Sequence, residues 1–228
     1  MAAGPRLRGV RAVVTGGSRG LGRAVVGGLV AAGADVVATA TGPAGLAALP
    51  EGARGVTLDL GDPASVDACA AEVAALFGGV DLLVNNAGVL GFRGALLDAP
   101  PDDIARTIAV NLTGTLRLTR ALRGALAPGA AVVNVSSGAA ARPGWAGYAV
   151  SKAGLDAASA VLRAELAGDG VRVIAVNPGG LRTEMRAAAY PGEDQSVLPR
   201  PESIVPLFVA IGAGEDPGGY VDAREWIA

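Results

Sequence analysis

Six short runs of mostly β-branched and apolar residues recur along the chain, spaced to leave room for one helix between neighbours. They are RAVVTG (11–16), ADVVATA (34–40), GVTLDL (55–60), VDLLVNN (80–86), AAVVNVSS (130–137) and VRVIAVN (171–177). Such near-continuous apolar runs, separated by alanine-rich helical stretches, predict parallel strands covered on both faces. Helix-start chemistry agrees: Asp62 before Pro63 is an N-cap followed by proline at the first helical position, and Pro100 and Pro101 open another long helix. The 228 residues contain no linker, low-complexity tail or further repeat, and 51% are apolar, enough for one large core. The expectation is a single doubly wound α/β domain over 1–228.

Composition removes several functions. The formal charge is −2 and no block of arginines forms a basic stripe, so nucleic acid is not an expected partner. No apolar run is long enough for a signal peptide or a bilayer span, which predicts a cytoplasmic protein without a membrane partner. The chain has no histidine, so every mechanism needing an imidazole base or ligand is excluded. Cys69 is the only cysteine; it reads as a small apolar helix residue, and no metal site is expected.

Directly after the first run comes TGGSRGLG (15–22), followed by a helical stretch beginning near Arg23. A glycine-rich strand-to-helix turn lets backbone N–H groups approach a pyrophosphate at a helix N-terminus, which makes Gly16, Ser18, Arg19, Gly20, Leu21 and Gly22 candidate cofactor contacts. Further on, YAVSK (148–152) holds the only lysine of the chain, whose other eighteen basic residues are all arginine. Tyr148 and Lys152 are four residues apart and share one helix face. An ammonium beside a phenol favours the phenolate, so Tyr148 is a candidate general acid with its pKa drawn down by Lys152. Lysine differs from arginine here in being a compact point charge rather than a broad planar fork.

These segments resemble, in order, the motifs of the short-chain dehydrogenase/reductase family: TGGSRGLG, LDL (58–60), NNAG (85–88), NLTG (111–114), VSS (135–137), YAVSK and NPGGLRTEM (177–185). All five asparagines of the chain (85, 86, 111, 134 and 177) fall in or beside them. The resemblance implies a Rossmann-type sheet of about seven strands. It also implies an NAD(P)-dependent oxidoreductase in which Ser137 polarises the substrate carbonyl and Lys152 contacts a ribose hydroxyl beneath Tyr148. Asn111 would hold a water that passes protons to Lys152. Ser137 stands eleven residues before Tyr148, closer than the usual family spacing, so the loop between them is short; Ser136 is the alternative serine. On the same basis Asp59 and Leu60 flank the adenine, Asn86, Ala87 and Gly88 line the cofactor, and Pro178, Gly179, Leu181 and Thr183 meet the nicotinamide end.

Where NAD-preferring enzymes place a carboxylate after the second strand, this chain has Ala40 and Thr41, and Arg19 lies in the glycine turn. A 2′-phosphate would meet no repulsion there, so NADP(H) is the expected cofactor. Residues 186–203 occupy the place of the family's substrate loop and carry no cluster of basic residues. With Leu90, Phe92, Trp145 and Tyr190 as walls, a small, neutral, fairly apolar carbonyl compound is the expected substrate. The terminal GGYVDAREWIA resembles the sepiapterin- and benzil-reductase-like branch. Two alternatives stand beside this reading: an NAD-dependent alcohol dehydrogenase on the same scaffold, and a non-catalytic NADP-binding regulator. The long helices over 101–126 and 145–168 are apolar on more than one side, and in the family their counterparts pair across a two-fold axis. A homodimer or homotetramer is therefore expected, with Leu112, Leu116, Leu162 and Leu166 as contacts.

Overall fold

In the computed structural model, which describes residues 6–226, the six runs become strands and the terminal segment adds a seventh. Along the chain run β1 (Arg11–Val14), α1 (Gly20–Ala31), β2 (Asp35–Ala40), α2 (Pro43–Ala47), β3 (Ala53–Thr57), α3 (Pro63–Phe77) and β4 (Val80–Asn85). After them come α4 (Pro101–Ile108), α5 (Thr115–Leu122), β5 (Leu126–Val135), α6 (Ala146–Leu166), β6 (Arg172–Asn177), α7 (Glu184–Ala189), α8 (Val205–Gly212) and β7 (Tyr220–Asp222). Every strand pairing is parallel, in the order β3-β2-β1-β4-β5-β6-β7. The strand order reverses between β1 and β4, which opens a crevice at their carboxyl ends.

The side-chain period of two explains why the strands are apolar throughout. Val13, Leu83, Val132 and Val173 point into one core beneath α3 and α5, together with Leu118 and Leu122. Their neighbours Val14, Leu82, Val133 and Ile174 point into the opposite core, against Leu29 of α1 and Phe208 of α8. Both faces are buried, so apolar residues dominate both. Asp62 caps α3 as its position suggested, its carboxylate accepting from the Ala64 N–H at 2.9 Å.

The element ends depart from the sequence reading in ways that matter for the crevice. β1 stops at Val14 and α1 begins at Gly20, so the turn between them is shorter than expected and its last glycines belong to the helix. β5 starts four residues earlier than the 130–137 run and ends at Val135, leaving both serines beyond the ladder. Of the terminal segment, residues 227 and 228 lie outside the described residues.

Candidate functional site

The glycine turn is built so that backbone faces the crevice. Gly16 and Gly20 have φ of +68° and +54°, the left-handed region where a side chain is strained. At Gly22 a Cβ would lie 2.1 Å from the Gly16 carbonyl oxygen and 2.4 Å from Asn86 Nδ2, so no side chain fits. Asn86 is the brace: its Nδ2 donates to the carbonyls of Thr15 at 2.9 Å and Gly16 at 3.3 Å, while Thr15 Oγ1 accepts from the N–H groups of Asn86 and Ala87. No side chain caps α1 and its first turn holds no acidic residue. Its amide donors and positive dipole end are thus available to an anion, which fits a nucleotide phosphate.

The other expected cofactor contacts lie just beyond the carboxyl ends of β2, β3, β4 and β6. Thr183, which caps α7, lies over the glycine turn, with its Cγ2 3.5 Å from where a Gly20 Cβ would be. Gly179 takes φ +72° and donates its N–H to Asn177 Oδ1, and Pro178 and the buried Leu181 sit on the same loop beyond β6. Thr41 is exposed at the end of β2, Ser18 is half-buried, and Leu21 is buried on α1. Asp59 accepts from the Gly61 N–H at 2.8 Å, and the carbonyl of buried Leu60 presses on Gly114, where a Cβ would be 2.1 Å away. Sequence reasoning missed one partner: Arg19 Nη1 reaches Glu184 Oε2 at 3.1 Å, joining the turn to α7. Both side chains are 77% exposed, so this pair is weak and exchangeable.

The catalytic candidates gather at the carboxyl ends of β4 and β5. Tyr148 and Lys152 are both buried on α6, with Lys152 Nζ 5.8 Å from the phenol ring centroid. Lys152 donates to the Val135 carbonyl at 2.7 Å. Burial draws its pKa down to about 8, and the neighbouring Asp156 carboxylate only partly opposes that. Tyr148 differs from expectation, because its pKa is raised rather than depressed. Burial of the phenol dominates, and the Ser137 hydroxyl only partly opposes it. The two hydroxyls approach without closing a hydrogen bond, and Ser137 Oγ also accepts from the Ala139 N–H at 3.1 Å. Ser136 turns elsewhere. Its buried Oγ lies towards Asp156, again without a closed hydrogen bond, so Ser137 is the serine that faces the phenol.

Asn111 lies within a π-helical turn, Ala109–Gly114, between α4 and α5. Such turns bend a helix and are frequent at functional sites. Its side chain is fully engaged: Oδ1 accepts from the Val89 N–H at 2.8 Å, and Nδ2 donates to the Val89 carbonyl and to Ser151 Oγ. Gly88 fits between the two polar groups, since a Cβ there would lie 3.0 Å from Asn111 Oδ1 and 3.8 Å from Lys152 Nζ. Asn85 and Asn134 are buried in a chain of hydrogen bonds that links Thr119, Asn85, Asn134 and Ser159 across α5, β4, β5 and α6. They position the site from behind.

The short loop before Tyr148 is strained, with Ala141 at φ +55° and Ala146 at +38°. It presents Trp145, whose ring centroid is 5.7 Å from Tyr148 and 5.6 Å from Tyr190. Leu90 packs on this cluster, but Phe92 does not: its ring folds over Gly94 instead. Arg93 takes the place expected for Phe92, with its guanidinium 3.7 Å above the Trp145 ring. Cys69 is buried in the core under α3, and burial pushes its thiol up to about 11. Among the described residues no helix is long and apolar enough to cross a membrane.

Residues 11–194 match the sequence model of the family described as short chain dehydrogenase. The 3-oxoacyl-(acyl-carrier-protein) reductase FabG of Salmonella typhimurium is 35% identical over 195 residues, covering 82% of this chain and 80% of the relative. The D-threitol dehydrogenase of Mycolicibacterium smegmatis is 38% identical over 203 residues, covering 82% and 76%. A short chain dehydrogenase from Shigella flexneri, solved in complex with NADP, matches with a TM-score of 0.89 at 27% identity, over 97% of this chain and 100% of that one. The matched span includes the glycine turn, Asn86–Gly88 and the Tyr148–Lys152 helix, and the chain belongs to the short-chain dehydrogenase family, oxidoreductases that act on CH–OH and C=O groups with NAD(P).

Proposed function

We propose that this protein reduces the carbonyl of a small ketone or aldehyde to the alcohol with NADPH, with Tyr148 as the proton donor. One observation supports this above the others: the phenol of Tyr148 is held protonated by burial, opposite the Ser137 hydroxyl and beside Lys152, at the carboxyl ends of β4 and β5. NADPH, when bound, supplies the hydride for the carbonyl carbon. Gly16 to Gly22 and the start of α1 would hold its phosphates, with Arg19 and Thr41 towards the 2′-phosphate and Asp59 and Leu60 towards the adenine. Asn86, Ala87 and Gly88 would line its path, and Pro178, Gly179, Leu181 and Thr183 its nicotinamide end.

The protein's own part is acid catalysis. Ser137 donates a hydrogen bond to the carbonyl oxygen and fixes its position. Tyr148 transfers its hydroxyl proton to that oxygen as negative charge develops there. The ammonium of Lys152 then stabilises the phenolate left behind. Because the Asn111 amide is committed to Val89 and Ser151, its role is to hold the π-turn open beside Lys152, with water reaching Lys152 along that backbone. Leu90, Trp145 and Tyr190 offer a mainly apolar and aromatic wall for the substrate body.

NADPH is favoured because β2 ends in Ala40 and Thr41, with no carboxylate to repel a 2′-phosphate, and Arg19 can exchange exposed Glu184 for it. The likeness to a D-threitol dehydrogenase favours a second reading, oxidation of an alcohol with NAD by the same residues in reverse. One assay separates them. A panel of ketones, aldehydes and alcohols, followed by the absorbance of reduced cofactor, should show carbonyl reduction with kcat/KM for NADPH at least about tenfold above NADH, the size of one charge-assisted contact. A wild type that prefers NADH would overturn the assignment.

We also propose that the chain assembles as a homodimer or larger. Leu116, Leu162 and the largely buried Leu166 line a groove between α5 and α6 with Arg120, Arg123 and Leu126, whereas Leu112 packs over Gly154. Light scattering at micromolar concentration should give at least twice the 22.3 kDa of one chain, and a monomer mass throughout would contradict it.

A further inference from the structure

Two arginines flank Tyr190, and they are treated differently. Arg186 lies 3.9 Å from the ring centroid and is neutralised by Glu193, whose carboxylate accepts from Nε at 2.6 Å and Nη2 at 2.5 Å. Arg93, 5.6 Å from the same centroid and stacked on Trp145, has no carboxylate within ion-pair distance among the described residues. Its Nη1 donates to the Gly144 carbonyl, which fastens the loop after β4 to the loop before α6. Its Nε is buried and meets no acceptor. A clamp on Gly144 accounts for Nη1 and stacking on Trp145 for the face of the guanidinium, which leaves the Nε/Nη2 edge without an acceptor among the described residues. Leaving a buried donor of a cation unpaired is costly, and natural structures seldom do so without a reason.

Arg93 belongs to the aromatic cluster beside Tyr148. Trp145, on which Arg93 lies, packs against Tyr148, and Leu90 and Tyr190 complete the same cluster. We infer that Arg93 anchors an anionic group of the substrate, so that the preferred class is carbonyl compounds carrying one carboxylate beyond an aromatic or apolar body. The inference rests on the carbonyl-reductase reading of this site and replaces the neutral substrate expected from sequence with an oxo acid. The Nε/Nη2 edge of a guanidinium is a planar pair of donors that matches the two oxygens of a carboxylate. A single cation facing aromatic rings suits a monoanion with a planar body better than a multiply charged phosphate carrier.

The test uses a matched pair, 4-formylbenzoate and its methyl ester, with the NADPH-saturated enzyme. Wild type should show kcat/KM at least about tenfold higher for the acid, as expected for a hydrogen-bonded ion pair. In Arg93→Gln the acid-to-ester ratio should fall towards one, and in Arg93→Lys it should be intermediate; melting curves and NADPH binding confirm that each variant is folded. A wild type that handles the ester as well as the acid, or a ratio that survives in Arg93→Gln, overturns the inference. If neither aldehyde consumes NADPH, the reductase reading fails for this class, and benzoate binding to the NADP-saturated protein, read by tryptophan fluorescence, still decides the anchor. Binding weakened about tenfold or more in Arg93→Gln supports it, and equal or absent binding in both proteins overturns it.

Discussion

At the glycine turn the atoms offered to a ligand are backbone: the uncapped N–H groups at the start of α1, on a turn kept free of bulk by Gly16, Gly20 and Gly22 and braced from behind by Asn86. On α6 the atoms offered are side chains, Tyr148 and Lys152, both taken out of water and tuned by that burial. The first region tolerates little steric change and carries little titratable charge. The second is chemically adjustable and holds a buried amine that opposes folding. On the proposed reading, affinity and reactivity fall on different parts of the chain, and substitutions should separate them.

The largest effect is expected from Gly22→Ala. Its Cβ would be 2.1 Å from the Gly16 carbonyl, a backbone atom that cannot move aside, so the variant should fail to fold or lose cofactor binding altogether. Soluble expression and NADPH titration would report it, and a folded variant that binds normally would break the backbone account of the turn.

Next in size is Lys152→Met, which should lose on the order of a hundredfold or more in kcat. The same change should raise thermal stability of the cofactor-free protein at pH 7. The folded-state pKa of about 8 lies below the ordinary lysine value of 10.5, so the folded protein binds fewer protons than the unfolded chain between those values, and wild-type stability rises with pH across that window. At pH 7 the charged amine opposes folding by roughly 3 kcal/mol at most, and the variant should recover about 1–3 kcal/mol of it. The gain should shrink as pH rises from about 8 to about 10.5. Melting curves at pH 7 and 10 check both signs, and a variant less stable than wild type at pH 7 contradicts the burial argument.

The smallest effect is a control on the same helix as Gly22. Gly27→Ala adds a Cβ that meets nothing within 4 Å, and alanine is the better helix former, so denaturant midpoints should show a gain of about 0.5–1 kcal/mol without change in activity.

The fold was legible because apolar runs and glycine punctuation are local signals, and strands such as Val80–Asn85 need no distant information to be seen. The positions of Tyr148, Lys152 and Ser137 were legible for a different reason, the order and spacing of short motifs. What side chains do after folding was less visible. Arg93 and Gly144 are 51 positions apart, and nothing near either in the chain marks the stacking on Trp145. Glu184 opposite Arg19 was hidden in the same way, 165 positions away. The direction of the Tyr148 shift was misjudged because helix spacing reveals the neighbouring ammonium but not the burial that outweighs it. Asn86 was expected to line the cofactor and Asn111 to hold a water, yet both amides are engaged in holding backbone in position.

The central claim, that the Tyr148 hydroxyl is the proton donor, is tested most directly by Tyr148→Phe, which removes one oxygen and keeps the ring against Trp145. Measured together, kcat for reduction and the NADPH dissociation constant should separate: kcat falls by about a hundredfold or more, as for loss of a positioned acid, while NADPH binding stays within a few-fold of wild type. A variant that keeps most of its kcat would contradict the account.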